Sequence, residues 1–418
     1  MPLGLLPNFD NTGALRYFYE VARYGSFRLA AEKIHMAAVA LTFRDPAAGL
    51  PGLEEAARRW SALGETAKYG WALANRGVAL FFMGRNHESD ASLRESLEVF
   101  REAGERDGQM AAYRFLALVC PDDPHAHEWV TESLQRAEEV GDRTAQVNSY
   151  NTLSWHHFMR SRLGGPDDTA ELRYYLDRLV ETARDLGMHE LETHGLGMGA
   201  NLARLQGRAD DACRLATAAH SLTVTEPPSA ALVQVAAFSS ARARGEPGDA
   251  PEVDERSVDP VSQICAYLIG EELIFEGRED GISRAMQAVE RRASQSALEG
   301  LIGGFGTALA LIVLGRHAEA RASAQWVVSA ATTLHAPLAE AAGRALLAEL
   351  AFVVDGDRDE AVRLLETAPA VSGGLAHVLV LRARARLGNE AAARALQEAV
   401  DALHMPGLAL SVGVPSRG

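Results

Sequence analysis

A chain of 418 residues with a formal net charge of −15 has an acidic surface that repels phosphate backbones, which argues against nucleic acid as a partner of the body. Apolar residues make up 47% and charged residues 23%, ordinary proportions for a soluble globular protein, and the longest apolar stretch, Leu301 to Leu314, holds three glycines and is too short to span a bilayer. Cys120, Cys213 and Cys265 lie far apart and form no CxxC, which argues against a disulfide framework and points to a reducing cytoplasm.

In chain order, residues 1–9 are expected to be a loose tail. Met1-Pro-Leu-Gly-Leu-Leu-Pro has neither the basic head nor the sustained apolar run of a signal peptide. Leu15 to Thr42 reads LRYFYEVARYGSFRLAAEKIHMAAVALT, and its surroundings are mildly basic: Arg16, Arg23, Arg28, Lys33 and Arg44 outnumber Asp10, Glu20 and Glu32. The LRYF, GSF, AAE and His35 elements resemble the start of LysR-type winged helix-turn-helix regulators. That resemblance implies a recognition helix offered to the major groove. The corresponding string, HMAAVALTFRDP, lacks the Ser and Gln that would contact bases; Asp45-Pro46 stops it, and no basic wing follows. The same residues fit an entry repeat with Gly25 as its turn glycine and Ala30 five positions on. Both readings stay open on the sequence alone.

Beyond the head, five strings share one pattern: GVALFFMGRNHESDASLRESLEVF, ANLARLQGRADDACRLATAA, GEELIFEGREDGISRAMQAV, LALIVLGRHAEARASAQWVV and LAELAFVVDGDRDEAVRLLETA. Each is an apolar helix, a Gly-polar-polar turn and an amphipathic helix. The turn glycines are Gly84, Gly207, Gly245, Gly277, Gly315, Gly356 and Gly388, and from Gly207 onward they are spaced by 38, 32, 38, 41 and 32 residues. The 123 residues from Gly84 to Gly207 make three units of 41, with degenerate turns near Cys120-Pro121-Asp122-Asp123 and Leu163-Gly164-Gly165-Pro166. Small residues recur after the glycine (Ser89, Ala212, Ala320, Ala361) and before it (Gly77, Ala200, Gly270, Ala308), where two helix backbones should approach closely. Residues 222–230 and 244–261 are rich in Pro, Gly and acid; the second is an inserted loop or a hinge. Residues 405–418, with Pro406 and Pro415, should form a flexible tail.

The hairpin pattern, with Gly77 and Leu80 or Gly270 and Leu273 in its first helices, resembles the tetratricopeptide-repeat family over residues 10–404. No unit carries the family's full Trp, Leu-Gly, Tyr, Ala, Phe, Pro set. The resemblance implies an all-α fold: a right-handed superhelical solenoid of about ten degenerate hairpins. The second-helix endings SLEVFREAGERDGQ and SLQRAEEVGDRTAQ resemble the C-terminal helical-repeat halves of the multidomain ATP-dependent transcriptional regulators of actinobacteria. The near-exclusive use of arginine over lysine, which occurs only at Lys33 and Lys68, fits such a GC-rich genome. In those proteins a nucleotide-switch domain accompanies the repeats; no GxxxxGK[ST] occurs here.

Signatures of catalysis are missing. His156-His157 and His125-x-His127 are the tight histidine pairs, and adjacent histidines on a helix point about 100° apart and chelate poorly. There is no HExxH and no GxSxG, and Gly195, Gly197 and Gly199 in HGLGMGA follow no strand. The expectation is therefore no metal, no cofactor and no enzyme. A groove remains. Aligning the units on their glycines projects Asn148, Asn151, Trp155, His194, Asn201, Arg204, Tyr267 and Glu271 onto the concave face, flanked by Trp71, Phe81, Phe82 and Phe305. Asparagines can grip a peptide backbone, and Arg204 can pair with a carboxylate. The resemblance and the groove together imply a regulatory binding protein for a peptide, a protein partner or a small effector. A DNA-binding regulator with a helical sensor body is the alternative, and a helical-scaffold enzyme a second one.

Overall fold

A computed structural model of the chain describes residues 26–42, 45–121, 123–161, 166–222, 224, 227–246, 249–252, 260–276, 297–333, 336–371 and 374–403. Every regular element among these residues is a helix, and the fold class is all-α. Two compact units divide the chain between Val119 and Cys120. That division falls at the degenerate Cys120-Pro-Asp-Asp turn rather than at 244–261, where the sequence offered a hinge.

The first unit contains α1 (Phe27–Thr42), α2 (Pro46–Ala62), α3 (Thr66–Phe82), α4 (Asn86–Ala103) and α5 (Arg106–Val119). Successive helices pack on one another, and α1 also meets α3, as α3 meets α5. This is the neighbour pattern of hairpins laid side by side. Helix α1 runs unbroken from Phe27 through Thr42, so no turn separates a recognition helix from a scanning helix. Among the described residues of the head, Phe27–Thr42 thus holds no bend of the kind that separates the two helices of a helix-turn-helix. Its core side is fixed by Ala38, whose methyl group lies against Gly52, and by Thr42, beside Gly49. Asp45 then caps α2 by accepting the Ala48 N–H at 3.0 Å, with Pro46 at the first helical position. Gly25 and residues 15–24 lie outside the described residues.

The second unit begins with α6 (Ala126–Val140), α7 (Arg143–Ser161), α8 (Pro166–Leu186), α9 (His189–Leu205), α10 (Ala209–His220) and α11 (Pro227–Ala243). It continues with α12 (Pro260–Phe275), α13 (Ala297–Val313), α14 (His317–Thr333) and α15 (Pro337–Leu350), the last extended by a π-helical turn at Ala351–Asp355. Helices α16 (Arg358–Glu366), α17 (Gly374–Arg386) and α18 (Glu390–Leu403) complete it. The predicted turn glycines Gly84, Gly207, Gly245, Gly315, Gly356 and Gly388 all adopt positive φ; Gly277 lies outside the described residues. At Gly207 the geometry is a Schellman motif. Its N–H reaches the Arg204 carbonyl at 3.1 Å, and the Arg208 N–H reaches that of Ala203 at 2.9 Å. Gly64, Gly104, Gly141 and Gly187 do the same for the intervening helices, so glycine punctuates both ends of the hairpins.

The small residues sit where the helices close. Ser89, Ala212, Ala320 and Ala361 are fully buried, and the Ser89 hydroxyl donates to the Gly77 carbonyl across the hairpin at 2.7 Å. The HGLGMGA glycines have the same explanation. A methyl group at Gly195 would fall 2.6 Å from Val180 Cγ2 of α8, and one at Gly197 would fall 2.7 Å from Leu232 Cγ of α11. Helix α9 is thus held between neighbours on both sides and is buried along most of its length. Two features depart from a regular repeat. No helix occupies the described residues between α11 and α12, and those two pack directly on each other. The end of α18 also returns to α9, where Leu403 Cδ2 comes within 3.1 Å of the position of a Gly207 methyl. Among the described residues no helix is long and apolar enough to cross a membrane.

Candidate functional site

The eight predicted groove residues lie in the second unit, on α7, α9 and α12, and separate into an accessible set and a buried set. Asn148 and Asn151 stand three residues apart on one face of α7, and both keep partial solvent access, as does His194 on α9. Trp155, Asn201, Arg204, Tyr267 and Glu271 are all less than 9% exposed. These five do not line an open surface.

The accessible set packs around His194, which keeps partial solvent access as a residue while its ring is desolvated between the helices. Its Nδ1 lies 3.4 Å from Asn151 Oδ1, and its Nε2 lies 3.2 Å from the Ser229 hydroxyl of α11. One neutral tautomer satisfies both contacts: Nδ1–H donates to the Asn151 carbonyl oxygen, and the Ser229 O–H donates to Nε2. The Trp155 indole meets the imidazole edge-on, with ring centroids 6.0 Å apart. Helices α7, α9 and α11 thereby converge on one polar cluster with an aromatic floor. Asn148, one turn earlier on α7, donates its amide to the Thr144 carbonyl of its own helix at 2.9 Å.

Burial keeps that imidazole neutral. Desolvation lowers the His194 pKa to about 4, against a weak opposing pull from Glu190. An unfolded chain protonates histidine near 6.5. Above that pH the group contributes no pH dependence, because the ring is neutral in both states. As pH falls from 6.5 to about 4, the unfolded chain takes up a proton that the folded ring refuses, and about 3 kcal/mol of stability is lost. His194→Gln removes this component. The melting-temperature gap between wild type and variant should therefore narrow on going from pH 7 to pH 4.5; a gap independent of pH would show an ordinarily titrating ring.

The buried set forms a charged interior. Arg204 Nε and Nη2 address the Glu272 carboxylate at 3.1 to 3.3 Å, and its Nη1 donates to the Leu403 carbonyl at the end of α18. The two side chains are 1% and 2% exposed. Burial pushes the Glu272 carboxyl above its ordinary range, against the pull of the Arg204 guanidinium beside it. The Tyr267 hydroxyl donates to Glu271 Oε1 one turn along α12, at 2.8 Å, and Gly306 of α13 leaves room for that hydroxyl. The carboxylate that Arg204 pairs with belongs to Glu272 of α12. Of the flanking residues, Phe81 is buried, Trp71 packs edge-on against Phe100 and Phe82 against Phe81. The Phe305 side chain lies outside the described residues.

Sequence reasoning missed Glu272 and Ser229. The signal for the first was present: two consecutive acids inside the otherwise apolar PVSQICAYLIGEELIF must find partners when that helix is buried. It also kept the two histidine pairs apart, whereas the fold brings His127 and His157 together with Glu171, their ligand atoms all within 4.8 Å of one another. No known family model matches the chain, and no curated protein resembles it.

Proposed function

We propose that the chain is a tetratricopeptide-like helical-repeat protein, its hairpins stacked as a right-handed solenoid, that recognises a peptide, a protein partner or a small effector in a regulatory system and catalyses no reaction. One observation carries this reading: Asn151 of α7 and His194 of α9 meet with partial solvent access, the Trp155 ring lies edge-on to the imidazole, and Asn148 stands three residues before Asn151 on the same helix. Asparagine supplies both a donor and an acceptor to a peptide backbone, and a neutral imidazole adds polarity without the desolvation penalty of a charge. Glycine-capped hairpins, small residues at the helix crossings and the α7–α9–α11 adjacency support the repeat assignment. The net charge of −15 and the unbroken α1 both weigh against a nucleic-acid partner.

Capture from native lysate followed by mass spectrometry tests the reading with two baits, the wild-type chain and the Asn148→Ala/Asn151→Ala double variant. Asn148→Ala lies on an accessible helix face and should leave the melting temperature in place, whereas Asn151→Ala gives up the acceptor of the His194 Nδ1–H and should lower it modestly, so both baits are used at a temperature where each is fully folded. A partner retained by wild type and lost by the variant supports recognition through this cluster. An identical set of proteins on both baits would remove the cluster from the binding surface.

A further inference from the structure

Apart from the His194 cluster, the second unit gathers histidines at the meeting point of its first three helices. His127 lies in the opening turn of α6, His156 and His157 lie on α7, and Glu171 lies on α8. The rings of His127 and His157 meet edge-on with centroids 5.2 Å apart. The His156 ring stands 5.8 Å from that of His127. His157 Nδ1 is 3.4 Å from Glu171 Oε2, and the Tyr175 ring stacks on His157 at 5.2 Å and 28°, fixing its plane.

We propose that His127, His157 and Glu171 form a site for one divalent transition-metal ion of the zinc type. The ligand atoms of all three lie within 4.8 Å of one another. Ligands at zinc's usual bond lengths lie about 3.3 Å apart in a tetrahedral set, so small side-chain rotations bring them to bonding distance. The donor set decides the class of ion. Two imidazoles and one carboxylate suit zinc and its first-row neighbours; calcium and magnesium demand an all-oxygen shell. The spacing argument against His156-His157 holds within one helix, where two adjacent rings diverge. It does not apply when one imidazole comes from α7 and the other from α6.

Access fits as well. The His157 side chain is 4% exposed and that of Glu171 is 58% exposed, so an ion arriving from solvent meets a carboxylate first and a fixed imidazole beneath it. Three protein ligands leave a fourth position for water or for a donor atom of a bound molecule. The ion would tie α6, α7 and α8 together where the second unit begins. The proposal is independent of the partner-binding reading, because the metal alone is its probe.

Tag-free full-length protein, stripped with chelator and dialysed, should bind one equivalent of Zn²⁺ per chain by calorimetry, with a rise in melting temperature. Co²⁺ in its place should develop the visible d–d absorption of a low-coordinate site. His127→Ala and Glu171→Gln change partly exposed side chains and should keep the metal-free melting temperature. Each should weaken Zn²⁺ binding at least about 100-fold, since even second-shell changes cost 10–100-fold. His125→Ala alters a neighbouring exposed histidine outside the cluster and should bind as wild type does. Absence of stoichiometric binding by wild type overturns the site. So does unchanged affinity in both ligand variants, or an equal loss in His125→Ala.

Discussion

Arg204→Ala is expected to destabilise the second unit by about 3–5 kcal/mol, because it strands a carboxylate in the interior. The pair is sealed, with Arg204 at 1% and Glu272 at 2% exposure, and the next acid along the chain, Glu271, already engages Tyr267. Replacing both charges, as Arg204→Met with Glu272→Leu, should recover most of the loss, since a well-packed apolar pair of similar volume performs about as well as a buried ion pair. Recovery will fall short by the bond from Arg204 to the Leu403 carbonyl, about 1.5–3 kcal/mol for a charged donor. Arg143→Ala provides the contrast. It breaks an ion pair whose two side chains are 50% and 53% exposed, and it should leave denaturant midpoints unchanged within error. Hydrogen exchange on α9, α12 and α18 locates the effect. A cost under about 1 kcal/mol for Arg204→Ala would mean that Glu272 reaches solvent or is protonated in the native state.

The same pair shows where sequence reasoning stops. Local rules performed well. Glycine after an apolar helix ends that helix with positive φ at Gly84, Gly207 and Gly315, because the left-handed conformation is sterically open to it. Small residues at fixed offsets mark crossings, as at Ser89 over Gly77. The stop expected at Asp45-Pro46 falls between the end of α1 at Thr42 and the start of α2. The groove projection relied on one further premise, that each helix is covered only by its neighbours in the stack. Leu403 breaks that premise by reaching Arg204 across 199 positions of sequence. The projected face of α9 is buried at Asn201 and Arg204 and stays partly open at His194, and no spacing within HGLGMGANLARLQG distinguishes the two ends. The histidine site was hidden for a related reason. Its ligands come from three helices, and motif spacing records geometry within one. Between α11 and α12 the periodicity of the glycines continues through Gly245, yet no second helix follows in the described residues. A turn residue shows that a helix ends; it does not show what comes after.

Phe100→Ala should cost the first unit about 3–5 kcal/mol, the range for deleting a buried aromatic ring. The ring is fully buried and lies on α4 between two glycines, Gly70 of α3 and Gly108 of α5. A methyl group at Gly70 would fall 2.7 Å from the ring edge, and one at Gly108 would overlap the same atoms. Trp71 closes the site edge-on, with ring centroids 5.2 Å apart. The absence of side chains at 70 and 108 and the size of residue 100 are thus one packing solution, so the sites should be strongly non-additive. Gly108→Ala alone should destabilise by about 1–3 kcal/mol through overpacking. Phe100→Leu alone should destabilise by creating space. Together they should cost less than the sum of the two, because the added methyl group enters volume the ring has vacated. Equilibrium denaturation of the four proteins gives the coupling energy, with hydrogen exchange on α3, α4 and α5 assigning it to this unit. Strict additivity would place the Gly108 contact elsewhere in the fold, and a gain in stability for Gly108→Ala would mean that the ring can step aside at no cost.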